Sequence, residues 1–127
     1  MSAGGDRPLV NLAVAAALDK KAEDPVAIDV SGLVAYTDTI VILGARNERL
    51  AKAVHDEIYA RVKAEEGRIP ARVDGLPEAR WILIDYLDVI VHIMVPEARD
   101  RYRLESLWGE APRVELDLGA DGDVLAG

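Results

Sequence analysis

Residues 81–95 read Trp81-Ile82-Leu83-Ile84-Asp85-Tyr86-Leu87-Asp88-Val89-Ile90-Val91-His92-Ile93-Met94-Val95. Only Leu87-Asp88 separates two runs of β-prone residues, Trp81–Tyr86 and Val89–Val95. β-branched and aromatic side chains favour extended backbone, so this spacing predicts a hairpin. Leu83 and Asp85 alternate with Trp81 and share its face of the strand. A carboxylate on that face predicts that the face is not wholly core, which marks Trp81 as an interface candidate.

Working outward, Thr39-Ile40-Val41-Ile42-Leu43 is a continuous β-branched run ending at Gly44. Such a run predicts a strand covered on both faces. Val26–Val30 reads as a further strand, with Ser31-Gly32 as its turn. Ala71–Asp74 reads as a short edge strand before Gly75. Two overlapping sets, Leu9/Leu12/Ala13/Ala16 and Val10/Ala13/Val14/Ala17, carry helical spacing. The first helix is therefore apolar around much of its girth. Asp6 and Pro8 suit its entrance, Lys20 and Lys21 its negative pole, and Pro25 its stop. Asn47 caps a second helix with the stripe Leu50, Val54, Ile58 and Val62, and Gly67 ends it. Pro96 opens a last helix through about Tyr102, after which Leu104, Leu107 and Trp108 fold back onto the core.

The order α-β-β-α-(β)-β-β-α predicts an α/β (α+β) chain with a mixed β-sheet of about five strands flanked by helices. One domain suits the 127 residues. Its expected bounds are a flexible start over 1–8, a domain over 9–109 and an acidic, flexible tail over 110–127.

The net charge is −8. Five acids against Arg113 in residues 110–127 make up −4 of it. An acidic chain with a pI near 4.7 argues against general nucleic-acid binding, which needs a basic surface. It suits a basic protein partner. With no Cys, disulfides, thiolate metal sites and cysteine nucleophiles are excluded. No run reaches the ~18 consecutive apolar residues of a membrane span. Leu9–Leu18 has some character of a signal peptide, but Asn11 interrupts it and Asp6 sits beside Arg7, so a cytoplasmic protein is expected.

Catalytic chemistry finds little support. His55 falls in the exposed sector of its helix and His92 in mid-strand, with no second His at i+4. Ser2, Ser31 and Ser106 stand in no nucleophile elbow. Asp29, Asp85 and Asp88 lie at strand ends, where carboxylates hold magnesium or simply bond their own turns. The turn reading is preferred. Asp121-Gly122-Asp123 lies in the expected tail, which would not hold metals in fixed geometry. No catalytic set, metal site or cofactor is expected.

Several segments together resemble the ribosomal silencing factor (Iojap-related) family. They are Asp29-Val-Ser-Gly-Leu33, Thr37-Asp38, Arg80-Trp-Ile-Leu-Ile-Asp-Tyr86, Asp88-Val-Ile-Val-His92 and Tyr102-Arg-Leu-Glu-Ser-Leu-Trp108. The resemblance runs from about Leu9 to Trp108. It implies a nucleotidyltransferase-like fold without known enzyme activity. It also implies binding to the large ribosomal subunit through its fourteenth protein, which blocks small-subunit joining and represses translation when nutrients are short. A role in ribosome biogenesis belongs to the same family.

Carried over by position, the partner-binding residues are Trp81, Asp85, Tyr86, Leu87, Asp88, His92, Thr37 and Asp38. The family usually has Gly where this chain has Leu87, so either the turn differs in type or Leu87 tolerates strain. Two rival readings stand beside this one. One is a nucleotidyltransferase-like or nucleotide-binding protein using Asp29, Asp85 or Asp88 with magnesium. The other is a homodimer formed through the apolar first helix or a sheet edge, which is compatible with ribosome binding.

Overall fold

A computed structural model describes residues 7–116. The expectations for Met1–Gly5, the Asp6 cap and Asp121–Asp123 lie outside the described residues.

Helix α1 spans Arg7–Asp19 and strand β1 Glu23–Asp29. The stop that separates them is not Pro25. Lys21 takes a left-handed φ of 68°. Ala22 N–H then bonds Ala17 O and Lys21 N–H bonds Leu18 O. This double closure ends a helix without proline. Lys20 and Lys21 thus lie past the helix rather than in its last turn. Pro25 instead enters β1, where the register shifts between Glu23 and Val26. Proline is tolerated at a bulge because no ladder hydrogen bond is demanded of it there.

Strands β2 (Thr39–Gly44) and β5 (Val89–Met94) pair in parallel at the centre of the sheet. Every residue of both is buried, as the Thr39–Leu43 run predicts for β2. Helix α2 spans Glu48–Glu66. Asn47 accepts from Leu50 N–H, and Gly67 closes the helix at φ 67°. Strand β3 is Arg72–Asp74, and β4 is Trp81–Asp85. The sheet order is β1-β2-β5-β4-β3, with antiparallel pairing everywhere except β2–β5. Gly75 is required between β3 and β4: its φ is 81°, and a Cβ there would stand 2.1 Å from the Trp81 carbonyl oxygen.

The two faces of the sheet are covered unequally. Helices α1 and α2 pack on one face over Val41, Leu43, Ile82, Ile84, Val91 and Ile93. On the other face, short helices α3 (Pro96–Tyr102) and α4 (Leu104–Leu107) belong to a smaller cluster with Ile28, Ile40, Ile42 and Met94. Leu104 and Trp108 fold back onto that cluster. Leu107 does not; it is among the most exposed apolar residues.

Two further expectations need correction. His55 is buried rather than exposed, at 7%. Helix α2 buries Ala51, Val54, His55, Ile58 and Val62 because it packs on α1 as well as on the sheet. Residues 110–127 also are not a tail throughout. Asp29 N–H bonds Pro112 O, and Val114 N–H bonds Ala27 O, each at 2.8 Å. Ala111 and Val114 are buried. An edge strand needs its backbone groups covered, and this segment covers β1, so the domain runs to at least Leu116. Its acidic composition concealed that role in the sequence.

Candidate functional site

Strand β4 alternates half-buried with buried residues along Trp81-Ile82-Leu83-Ile84-Asp85. Ile82 and Ile84 point into the α1–α2 core. Trp81, Leu83 and Asp85 share the opposite face, as their spacing predicts. The expected site residues on this hairpin fall into two groups, one at each end.

At the first end, Trp81 lies opposite Met94, with His92 as its diagonal neighbour across the ladder. Trp81 Nε1–H donates to His92 Nδ1 at 2.9 Å. Nδ1 accepts only when it carries no proton, so this bond fixes a neutral ring protonated at Nε2. Burial pushes the His92 pKa down to about 4, because a low-dielectric site disfavours the cation. Tyr102 leans on the indole with ring centroids 4.8 Å apart.

At the second end, the chain turns through Leu87-Asp88. Leu87 adopts φ 77°, a region that costs a residue with a Cβ about 1–2 kcal/mol. Leu87 therefore tolerates strain, and neighbouring groups hold it there. Asp85 Oδ1 accepts from Leu87 N–H at 2.7 Å. The Tyr86 carbonyl accepts from Asp88 N–H at 3.0 Å and from Arg68 Nη2 at 2.7 Å. Arg68 also pairs with Asp88 at 2.9 Å. The Asp88 carbonyl in turn accepts from Asp38 N–H and Thr39 N–H. Asp38 and Thr39, with Thr37 next in the chain, thus join Asp85–Asp88, whereas Trp81 and His92 stand at the far end of the hairpin.

Tyr86 is only 1% exposed. Its ring lies in the α1–α2 core, so its side chain supports the turn and presents no contact surface. Burial raises its pKa to about 12. The hydroxyls of Thr37, Thr39 and Tyr86 are buried with no hydrogen-bond partner among the described residues. Arg68, Leu33, Tyr36 and Ile69 at this end escaped the sequence reading. Arg68 follows the helix-ending Gly67, and a cation just past a helix end was the available signal. Leu33, Tyr36 and Ile69 are more than half exposed, and an apolar residue in a loop gives little signal on its own.

The carboxylates proposed for magnesium are engaged separately. Asp29 accepts from Ser31 Oγ at 2.6 Å and from Ser31 N–H. Asp85 holds Leu87, and Asp88 holds Arg68. Among the described residues, no three His, Cys, Asp or Glu form a metal-binding group. No helix there is long and apolar enough to cross a membrane. Helix α1 buries Leu9, Val10, Ala13, Val14, Ala16 and Ala17, while its Leu12 and Leu18 are partly buried.

Fold and site together define a class: a single α+β domain with a mixed five-stranded sheet, whose chemically loaded features are a turn and the loops beside it. The chain belongs to the family described as ribosomal silencing factor during starvation, whose model matches residues 5–124. It is 40% identical over 112 residues to a ribosomal silencing factor of Halalkalibacterium halodurans, covering 88% of this chain and 95% of the relative. The corresponding protein of Bacillus subtilis is 37% identical over 114 residues, covering 89% and 95%. A crystal structure of a Chromobacterium violaceum protein superposes with a TM-score of 0.78 at 29% identity, covering 94% of this chain and 96% of that one.

Proposed function

We propose that this protein represses translation by binding the large ribosomal subunit through its fourteenth protein and keeping the small subunit from joining. The observation that carries this reading is membership of a silencing-factor family across nearly the whole domain. Physical support comes from the hairpin's turn end, where Asp29, Asp38 and Asp85 give a local negative field suited to a basic ribosomal protein, Asp88 being neutralised by Arg68. The mechanism is steric: a rigid domain seated on a bridge surface excludes the other subunit without chemistry.

Thr37, Asp38, Asp85, Leu87 and Asp88 make up one part of the proposed partner-binding surface, and Trp81 with His92 the other. Tyr86 acts as the prop beneath the turn. The protein acts on ribosomes in the cytoplasm, and a role in large-subunit assembly is consistent with a mouse relative named for mitochondrial assembly of that subunit, 28% identical over 102 residues.

Sedimentation of purified ribosomes with added protein tests the reading. Co-migration with large subunits and loss of joined ribosomes are expected. Protein that stays at the top of the gradient while ribosomes remain joined would remove the proposal.

A further inference from the structure

Six large apolar residues are strongly exposed among the described residues: Leu33, Tyr36, Ile69, Leu87, Tyr102 and Leu107. Their distribution is uneven. Leu33 and Tyr36 lie in the β1–β2 loop, Ile69 in the α2–β3 connection and Leu87 in the β4–β5 turn. Hydrogen bonds tie these three connections together. Asp38 N–H reaches Asp88 O at 3.0 Å, Arg68 reaches Tyr86 O at 2.7 Å, and Ala71 N–H reaches Asp85 O at 2.8 Å. Four of the six residues therefore gather at one end of the sheet, where scattered exposure would place them all round the molecule.

Charge at this end is sorted in the same way. Asp29 is held by Ser31, Asp85 by Leu87 N–H and Asp88 by Arg68. The Asp38 carboxylate makes no hydrogen bond or ion pair among the described residues. Three carboxylates thus brace the turns, Asp88 with its charge balanced by Arg68, and one is left to meet a cation. Apolar contact around a single available charge suits a basic protein surface whose Lys or Arg stands beside an apolar recess.

We infer that the β1–β2 loop, the α2–β3 connection and the β4–β5 turn form one docking surface for a basic protein. In it Leu33, Tyr36, Ile69 and Leu87 supply the apolar contact and Asp38 the ion pair. The inference rests on the proposed ribosome binding and narrows it: binding free energy concentrates on residues outside the Trp81 end. Leu33 and Tyr36 are exposed side chains whose replacement leaves the core intact.

The test measures affinity for purified large ribosomal subunits, with thermal melting of each variant alongside. The double variant Leu33→Ser/Tyr36→Ser is expected to bind about 30-fold more weakly at unchanged melting temperature. Asp38→Lys is expected to weaken binding and to reduce its salt dependence, because a like charge then faces the partner. Leu107→Ser, which removes an equally exposed apolar residue from α4, is expected to bind as the unaltered protein does. Normal binding by the double variant overturns this inference alone. Failure of the unaltered protein to bind large subunits overturns it together with the proposed function.

Discussion

The two ends of the β4–β5 hairpin are built on opposite terms. At the Trp81 end the indole N–H has its acceptor, the ring has Tyr102 against it, and His92 is held in one protonation state. At the Leu87 end a β-hairpin turns on a leucine in a left-handed conformation, above buried hydroxyls with no partner among the described residues. Strain and incomplete pairing persist only where surrounding contacts over-determine them, and such sites cluster where proteins bind or switch. The contrast sets a paired end against a strained one, and the proposed docking surface lies at the strained end.

The largest test of that contrast lies beneath the turn. Tyr86→Ala is expected to destabilise the domain by about 3–5 kcal/mol in urea titration, the usual cost of deleting a buried aromatic ring. Tyr86→Phe, which removes only a buried hydroxyl without a protein partner, is expected to stay within about 1 kcal/mol of the parent. A mild effect of Tyr86→Ala would mean that the turn end is not anchored to the core.

Acid probes the other end. The His92 pKa falls from 6.5 to about 4 on folding, so between those values the unfolded chain binds the extra proton. Stability is fully present above pH 6.5 and declines as pH falls toward 4, by about 3 kcal/mol in total. In His92→Gln this component of the pH profile should vanish. An unchanged slope in that variant would show that His92 is not the group responsible.

Arg68→Ala is expected to cost about 1–2 kcal/mol, since a half-buried cation holds both the Tyr86 carbonyl and Asp88. Faster amide exchange at Asp88 should accompany it, while Trp81 fluorescence stays constant. Equal disturbance at both ends would erase the distinction between them. The smallest effect is expected from Leu87→Gly. Relief of left-handed strain outweighs the added freedom of the unfolded chain, for a gain of up to about 1 kcal/mol. Affinity for large subunits should fall in the same variant, separating stability from recognition at one residue.

The Trp81 end was largely legible in the sequence, and the turn end only in part. Strand alternation placed Trp81, Leu83 and Asp85 on one face because side-chain direction follows directly from a period of two. Asn47 and Gly67 marked α2 because caps are local chemistry. Residues that meet only through tertiary contact were harder to read. Thr37 and Asp38 came from family resemblance, and Arg68 reaches the hairpin from across the fold. Lys21 stopped α1 through a backbone conformation that its side chain does not advertise. His55 was misplaced because a helical pattern does not reveal how many neighbours cover it. The edge-covering segment was misread because its role depends on the backbone of a distant strand.

That segment has a bearing on how the chain is made. Residues 112–114 complete the edge of β1, a strand near the start of the domain. During synthesis β1 emerges long before the backbone that seals it, and its outer edge must wait in an unsealed state. Closure comes only when nearly the whole domain has left the exit tunnel, because the pairing joins segments far apart in the chain.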